Sequence, residues 1–215
     1  MPVITIRGQM GSGASEIGKE VSRLLKADYV DREILESVAQ LVGRPVAQIE
    51  EKEQIPVRLV RRILAVFERA EEKSGTAESA YRRTWEEPLE NAKYLFALES
   101  VIQDLALEEN IVLVGRGSQF ILRNHPSALH VLVIAPLQKR IKEVAAALDV
   151  PQQQARKQIE ESDKSRRVFI QRFFKRALEN PDYYDLVVNT ERLAYDAAAS
   201  IIVSAAAEKL ARHRL

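Results

Sequence analysis

The chain has 215 residues, 46% of them hydrophobic and 29% charged, a composition that suits one soluble folded domain and excludes a disordered or membrane-embedded class. Lys plus Arg total 32 against 31 Asp plus Glu, so the net charge of +1 supplies no global basic field to gather nucleic acid, and any anion site must be local. Cysteine is absent, which rules out disulfides, thiolate metal sites and cysteine nucleophiles.

Met1 to Ile6 reads as a short buried strand rather than a signal peptide or membrane span, so no membrane association and a cytoplasmic location are expected. The glycine-rich segment Gly8-Gln9-Met10-Gly11-Ser12-Gly13-Ala14-Ser15 follows, and then Ile17, Val21, Leu24 and Leu25 repeat at helical spacing. Strand, glycine loop and helix in that order match the P-loop pattern at Gly8, Gly13 and Ser15. Glycines there let successive N–H groups and the helix N-terminus approach phosphate oxygens, and Ser15 is placed to reach a nucleotide-bound magnesium ion. The pattern expects lysine where the chain has Ala14. Arg7, Lys19 and arginines from farther along the chain are candidate replacements for its charge.

Tyr29-Val30 reads as a second strand, with Asp31 capping a helix through Ile34 to Val42 and Arg32 in its first turn. First-turn arginine opposes the helix dipole and points to a compensating partner. Residues 45–109 read as a helical stretch without a catalytic motif to about Glu72, a polar loop from Ser74 to Pro88 and a helix from about Leu89 to Glu109, and are expected to form a helical insertion. Apolar runs there, such as Ile63-Leu64 and Leu95-Phe96, raise the expectation of a homodimer.

Ile111 to Val114 and Leu129 to Ala135 are buried-strand candidates, and Tyr184 to Val188 is another. Arg116, in Gly115-Arg116-Gly117, then sits at a strand's carboxyl end, the rim where parallel sheets bind ligands. Residues 136–178 form one long basic helical region carrying Arg140, Arg166 and Arg167, expected to act as a lid over transferring phosphates. An amphipathic helix closes the chain. The alternation predicts an α/β, three-layer P-loop NTPase fold with a central parallel sheet, arginine-bearing lid helices and the helical insertion, all in one domain over 1–215. His125, His130 and His213 have no metal-ligand spacing, and no acid ends the strand at Val114 to organise a magnesium shell.

Gly11-Ser12-Gly13 with Ile17-Gly18, Tyr29-Val30-Asp31-Arg32, Val114-Gly115-Arg116-Gly117, Ser162-Asp163-Lys164-Ser165-Arg166 and Asp185-Leu186-Val187-Val188-Asn189-Thr190 together resemble the cytidylate kinase-like proteins. The resemblance spans most of the chain outside 45–109. It implies phosphoryl transfer from ATP, with Mg2+, to CMP or a similar nucleoside monophosphate. It further implies that Arg32 and Arg116 hold the acceptor phosphate, that Arg140, Arg166 and Arg167 act from the lid, and that Asp185 meets the ribose or base. The subgroup tends to lack the loop lysine, as Ala14 does. The alternative is a noncatalytic nucleotide- or phosphate-binding module.

Overall fold

A computed structural model describes residues 2–31, 61, 63–65, 92–107 and 110–213. The chain divides into two compact units, Met1–Tyr29 with Asn110–Leu215, and Val30–Glu109. In the second, the helix α2 (Ala92–Leu107) buries Leu98, Val101, Ile102 and Leu105. The expected helix after Asp31 and most of the expected 45–109 insertion lie outside the described residues.

The first unit contains the sheet. Its strands are β1 (Val3–Gly8), β2 (Asp28–Val30), β3 (Ile111–Val114), β4 (Ala128–Ile134) and β5 (Leu186–Asn189), in spatial order β2-β3-β1-β4-β5. β1 runs parallel to β3 and β4, and β4 parallel to β5. Side chains on both faces of β1 and β4 are buried, which is why these strands read as continuous apolar runs rather than alternating ones. On one face, α1 (Ala14–Leu25) and α6 (Tyr195–His213) close a core built from Ile4, Ile6, Ile17, Val21, Val131, Val133 and Ile202. The α/β three-layer expectation is met.

The basic region expected as one helix is two. α4 (Leu137–Leu148), which follows the short α3 (Ser118–Ile121), ends at Asp149 with φ 51, and α5 (Gln152–Phe174) starts after Pro151. Proline has no N–H to continue α4 and its ring suits the entry to a new helix, so Val150-Pro151 forces the break. The last strand starts at Leu186 rather than Tyr184. Asn180 caps a single 3-10 turn at Pro181–Tyr183, accepting from the Asp182 N–H, and this turn takes up the residues before the strand. Among the described residues no helix is long and apolar enough to cross a membrane.

Inside the sheet, Thr5 Oγ1 and His130 Nδ1 share a 2.8 Å hydrogen bond across the β1–β4 pair. Burial first, with Lys209 and His125 adding to it, brings His130 down to about 4, against the opposing pull of Asp185. The ring is therefore neutral in the fold but titrates near 6.5 when unfolded, so the unfolded chain binds more protons between those values. Stability is expected to rise with pH from about 4 to 6.5 and to be lost as pH falls through that window, by at most roughly 3 kcal/mol. Urea unfolding at pH 4.5 and pH 7 checks this, and His130→Gln is expected to flatten the difference.

Candidate phosphate site at the glycine loop

β1 ends at Gly8 and α1 begins at Ala14, so the glycine loop occupies the carboxyl rim of the sheet. Two glycines are dictated by geometry. A Cβ on Gly8 would stand 2.1 Å from the Ala14 Cβ, and one on Gly13 would stand 2.4 Å from the Tyr195 ring. Gly13 also has φ 83 and is the N-cap of α1, with no side chain capping the helix. The first-turn N–H groups of α1 have no intrahelical acceptor and face the rim, as an anion-binding loop requires. Ser12 is fully buried, and its Oγ has no hydrogen-bond partner. The glycine backbone at the N-terminus of α1 and the orphaned Ser12 hydroxyl fit the phosphates of a nucleotide. Ser15 is exposed in the first turn of α1, where it would face the metal of such a nucleotide.

The loop is gripped from three sides. From the sheet, Gln9 N–H donates to Val133 O, and Gln9 Oε1 accepts from Ala135 N–H, both at 3.3 Å. From the end of β5, Thr190 Oγ1 donates to Ser12 O at 2.9 Å, while Lys139 Nζ donates to Thr190 O and lies 5.4 Å from the Tyr195 ring centre. From the basic helices, Met10 packs into the small core of Ile141, Val144, Ala155 and Ile159, and a Cβ on Gly11 would meet the Arg140 carbonyl at 2.7 Å.

The expected site residues among the described ones take these positions. Arg140 is buried, and its Nη1 donates to Asp163 Oδ2 at 2.8 Å and to Met10 O at 3.4 Å, so its charge is committed to the α4–α5 contact beneath the loop. Arg166, exposed on α5, reaches the loop, where its Nη1 donates to Gly8 O at 2.9 Å. Arg116 stands at the same rim after β3, where the Gly115 N–H donates to Ile6 O at 2.9 Å. Its φ of 57, between two glycines also at positive φ, is a left-handed conformation that costs an arginine on the order of 1 kcal/mol. Arg167 lies on the wall of an open cavity of about 690 Å³ with Arg172, Lys175, Arg176 and Glu179. Arg32 lies outside the described residues.

Asp185 is not brought to the loop. It precedes β5, at the level of His130 and Thr5, accepting from the His130 N–H at 2.8 Å and from Lys209 Nζ at 2.7 Å. Burial opposes its ionisation, but the Lys209 and His130 hydrogen bonds outweigh burial and hold the carboxyl below its ordinary value. Lys19 turns to Tyr29, with Nζ 5.9 Å from the ring centre.

Two further residues belong to this region. Asp163 continues the buried α5 stripe Ala155, Ile159, Asp163 and Ile170, and a carboxylate at core spacing on a polar helix was a legible signal of a buried partner. Arg7 ends the apolar run of β1 and is 5% exposed. Its guanidinium is brought down to about 10, first by burial and then by Arg166, while Tyr184, Glu179 and Asp163 pull it upward, and it stays charged at neutral pH. Tyr184 is pushed up to about 12, chiefly by burial, and its OH donates to Leu178 O at 2.6 Å.

Removing one partner of a buried ion pair strands the other charge. Arg140→Met and Asp163→Leu are each expected to destabilise the protein by about 3 to 5 kcal/mol. The double variant is expected to lose far less than their sum, as measured by urea unfolding in a double-mutant cycle.

A solved structure of a protein from Eubacterium ventriosum ATCC 27560 superposes with a TM-score of 0.68 at 16% identity, over 96% of this chain and 98% of that one, and so shares the fold. A shikimate kinase from Acinetobacter baumannii superposes at 0.48 with 14% identity, over 97% and 94% of the two chains. In sequence, 108 residues are 27% identical to a uronate isomerase of Corynebacterium glutamicum, covering 50% of this chain, which spans about a fifth (21%) of that protein's length. The model of the cytidylate kinase-like family matches residues 3–192, nearly the whole of the chain, and the chain belongs to that family.

Proposed function

We propose that the protein is a nucleotide kinase that transfers a phosphoryl group from ATP to CMP or a similar nucleoside monophosphate, with Mg2+. The observation that carries this reading is the Arg166 contact with Gly8 O, because it brings a cation from the basic helices onto the loop that would hold the donor phosphates. Phosphoryl transfer needs little covalent chemistry from the protein. Positioning and neutralisation of the three equatorial oxygens suffice. In this reading the first-turn N–H groups of α1 and the backbone of Gly11, Ser12 and Gly13 hold the ATP phosphates, and Ser15 supplies a hydroxyl to the nucleotide's magnesium ion. Arg116 and Arg166 neutralise charge at the rim. Arg167 and its cationic neighbours in the 690 Å³ cavity supply the acceptor side, a volume in the ordinary range for small-molecule sites.

A second reading is motivated by Ala14, whose methyl group packs against Gly8 where the motif would supply a mobile cation. Loss of one such contact in a transition state costs about 10²- to 10³-fold in rate. Binding tolerates the loss better than turnover does, so a noncatalytic nucleotide-binding module is the alternative.

Purified protein with ATP, Mg2+ and CMP is expected to yield ADP and CDP, and Arg166→Met is expected to lower kcat by about 10²- to 10³-fold. Turnover is followed by chromatography of the nucleotides across a panel of monophosphate acceptors. Nucleotide binding by calorimetry without turnover on any acceptor identifies the binding module instead.

A further inference from the structure

The Arg7 guanidinium is unusual among the described charges. It is almost fully enclosed, its Nη2 has no hydrogen-bond partner among the described residues, and none of their carboxylates lies within ion-pair distance of it. The two acids nearest in charge attract Arg7 without pairing with it, and each gives one oxygen to another partner. Asp163 holds Arg140, and Glu179 Oε1 accepts from Gln9 Nε2 at 3.4 Å. A second cation, Arg166, is drawn over the next residue of the chain by the neutral Gly8 carbonyl.

Enclosing a guanidinium beside a like charge, with no carboxylate to pair with it, is unfavourable in a folded protein. Charged groups perturbed in this way cluster at functional sites. We propose that Arg7 and Arg166 form an anion site at the mouth of the glycine loop that takes a phosphoryl group, with Arg7 as the fixed cation of a loop that carries none at position 14. The proposal rests on the phosphate-binding reading of the loop and extends it to a residue on β1. Arg166 is exposed and Arg7 is enclosed. A phosphoryl anion bound there meets both guanidiniums, each able to donate two parallel N–H bonds to phosphate oxygens. Lysine at position 14 would act as a mobile point charge, whereas arginine on a strand is held in place before the anion arrives.

The test is calorimetric titration of the full chain with inorganic pyrophosphate, without nucleotide or metal. One equivalent is expected to bind, with affinity weakened roughly 10- to 100-fold in Arg7→Met and in Arg166→Met. Arg7→Lys is expected to retain part of the affinity. The thermal midpoint of ligand-free Arg7→Met is expected at or above that of the parent, because an unpaired buried charge has been removed. Absence of pyrophosphate binding by the parent chain overturns the proposal, as does affinity within twofold of the parent in both methionine variants. If Arg7→Met does not fold, Arg166→Met, at an exposed position, decides by the same twofold criterion. Pyrophosphate binding that depends on both arginines, without turnover on any acceptor, upholds this site while removing the kinase reading. Turnover unaffected by Arg7→Met removes the site alone.

Discussion

The buried pair Arg140–Asp163 is the constraint on which the rim of this protein depends. Two helices with polar, basic surfaces have little apolar area to offer each other, and the core they share is small: Ile141, Val144, Ala155 and Ile159, completed by Met10 from the glycine loop. Desolvating two charges is costly, and a well-packed apolar pair is often as stable. What the ion pair adds is register. Arg140 and Asp163 meet only when α4 and α5 are correctly aligned. That alignment seats Met10, sets the Arg140 backbone against Gly11, and brings Arg166, three residues beyond Asp163, over Gly8. The conformation of the loop is thus determined as much by the helices behind it as by its own glycines.

Much of the architecture was legible because its signals are local. β-branched runs at Val3–Ile6, Ile111–Val114 and Leu129–Ile134 are buried on both faces, so no alternation was needed to recognise them. The glycine spacing announced a turn with positive φ and close approach; Gly13 meets both requirements and Gly8 the second. The break at Pro151 was present in the sequence as well, yet the basic periodicity on both sides masked it.

The side-chain partnerships were harder to read, because each joins residues far apart in the chain. Arg140 and Arg166 look equivalent as basic residues on helices, but one is neutralised by a carboxylate 23 positions away and the other spans 158 positions to a backbone carbonyl. Asp185 follows the same logic. In the fold it accepts from the β4 backbone and from Lys209 on α6, tying the last helix to the sheet. Arg7 was visible as a charge at the end of an apolar strand. Only its enclosure, without a carboxylate partner, distinguishes it from an arginine exposed at a strand end.

The contact between Gly13 and the Tyr195 ring has an evolutionary consequence. The ring rests on the loop where any β-carbon would stand, and it is held there with Lys139 at its face. The first helix and the last, separated by most of the chain, therefore cannot diverge independently at this point. A larger residue at position 13 becomes sterically admissible only after Tyr195 is lost, and even then it inherits a left-handed backbone suited to glycine. Substitution at the two positions is ordered, with the tyrosine first, so the aromatic ring acts as a ratchet that preserves the glycine beneath it.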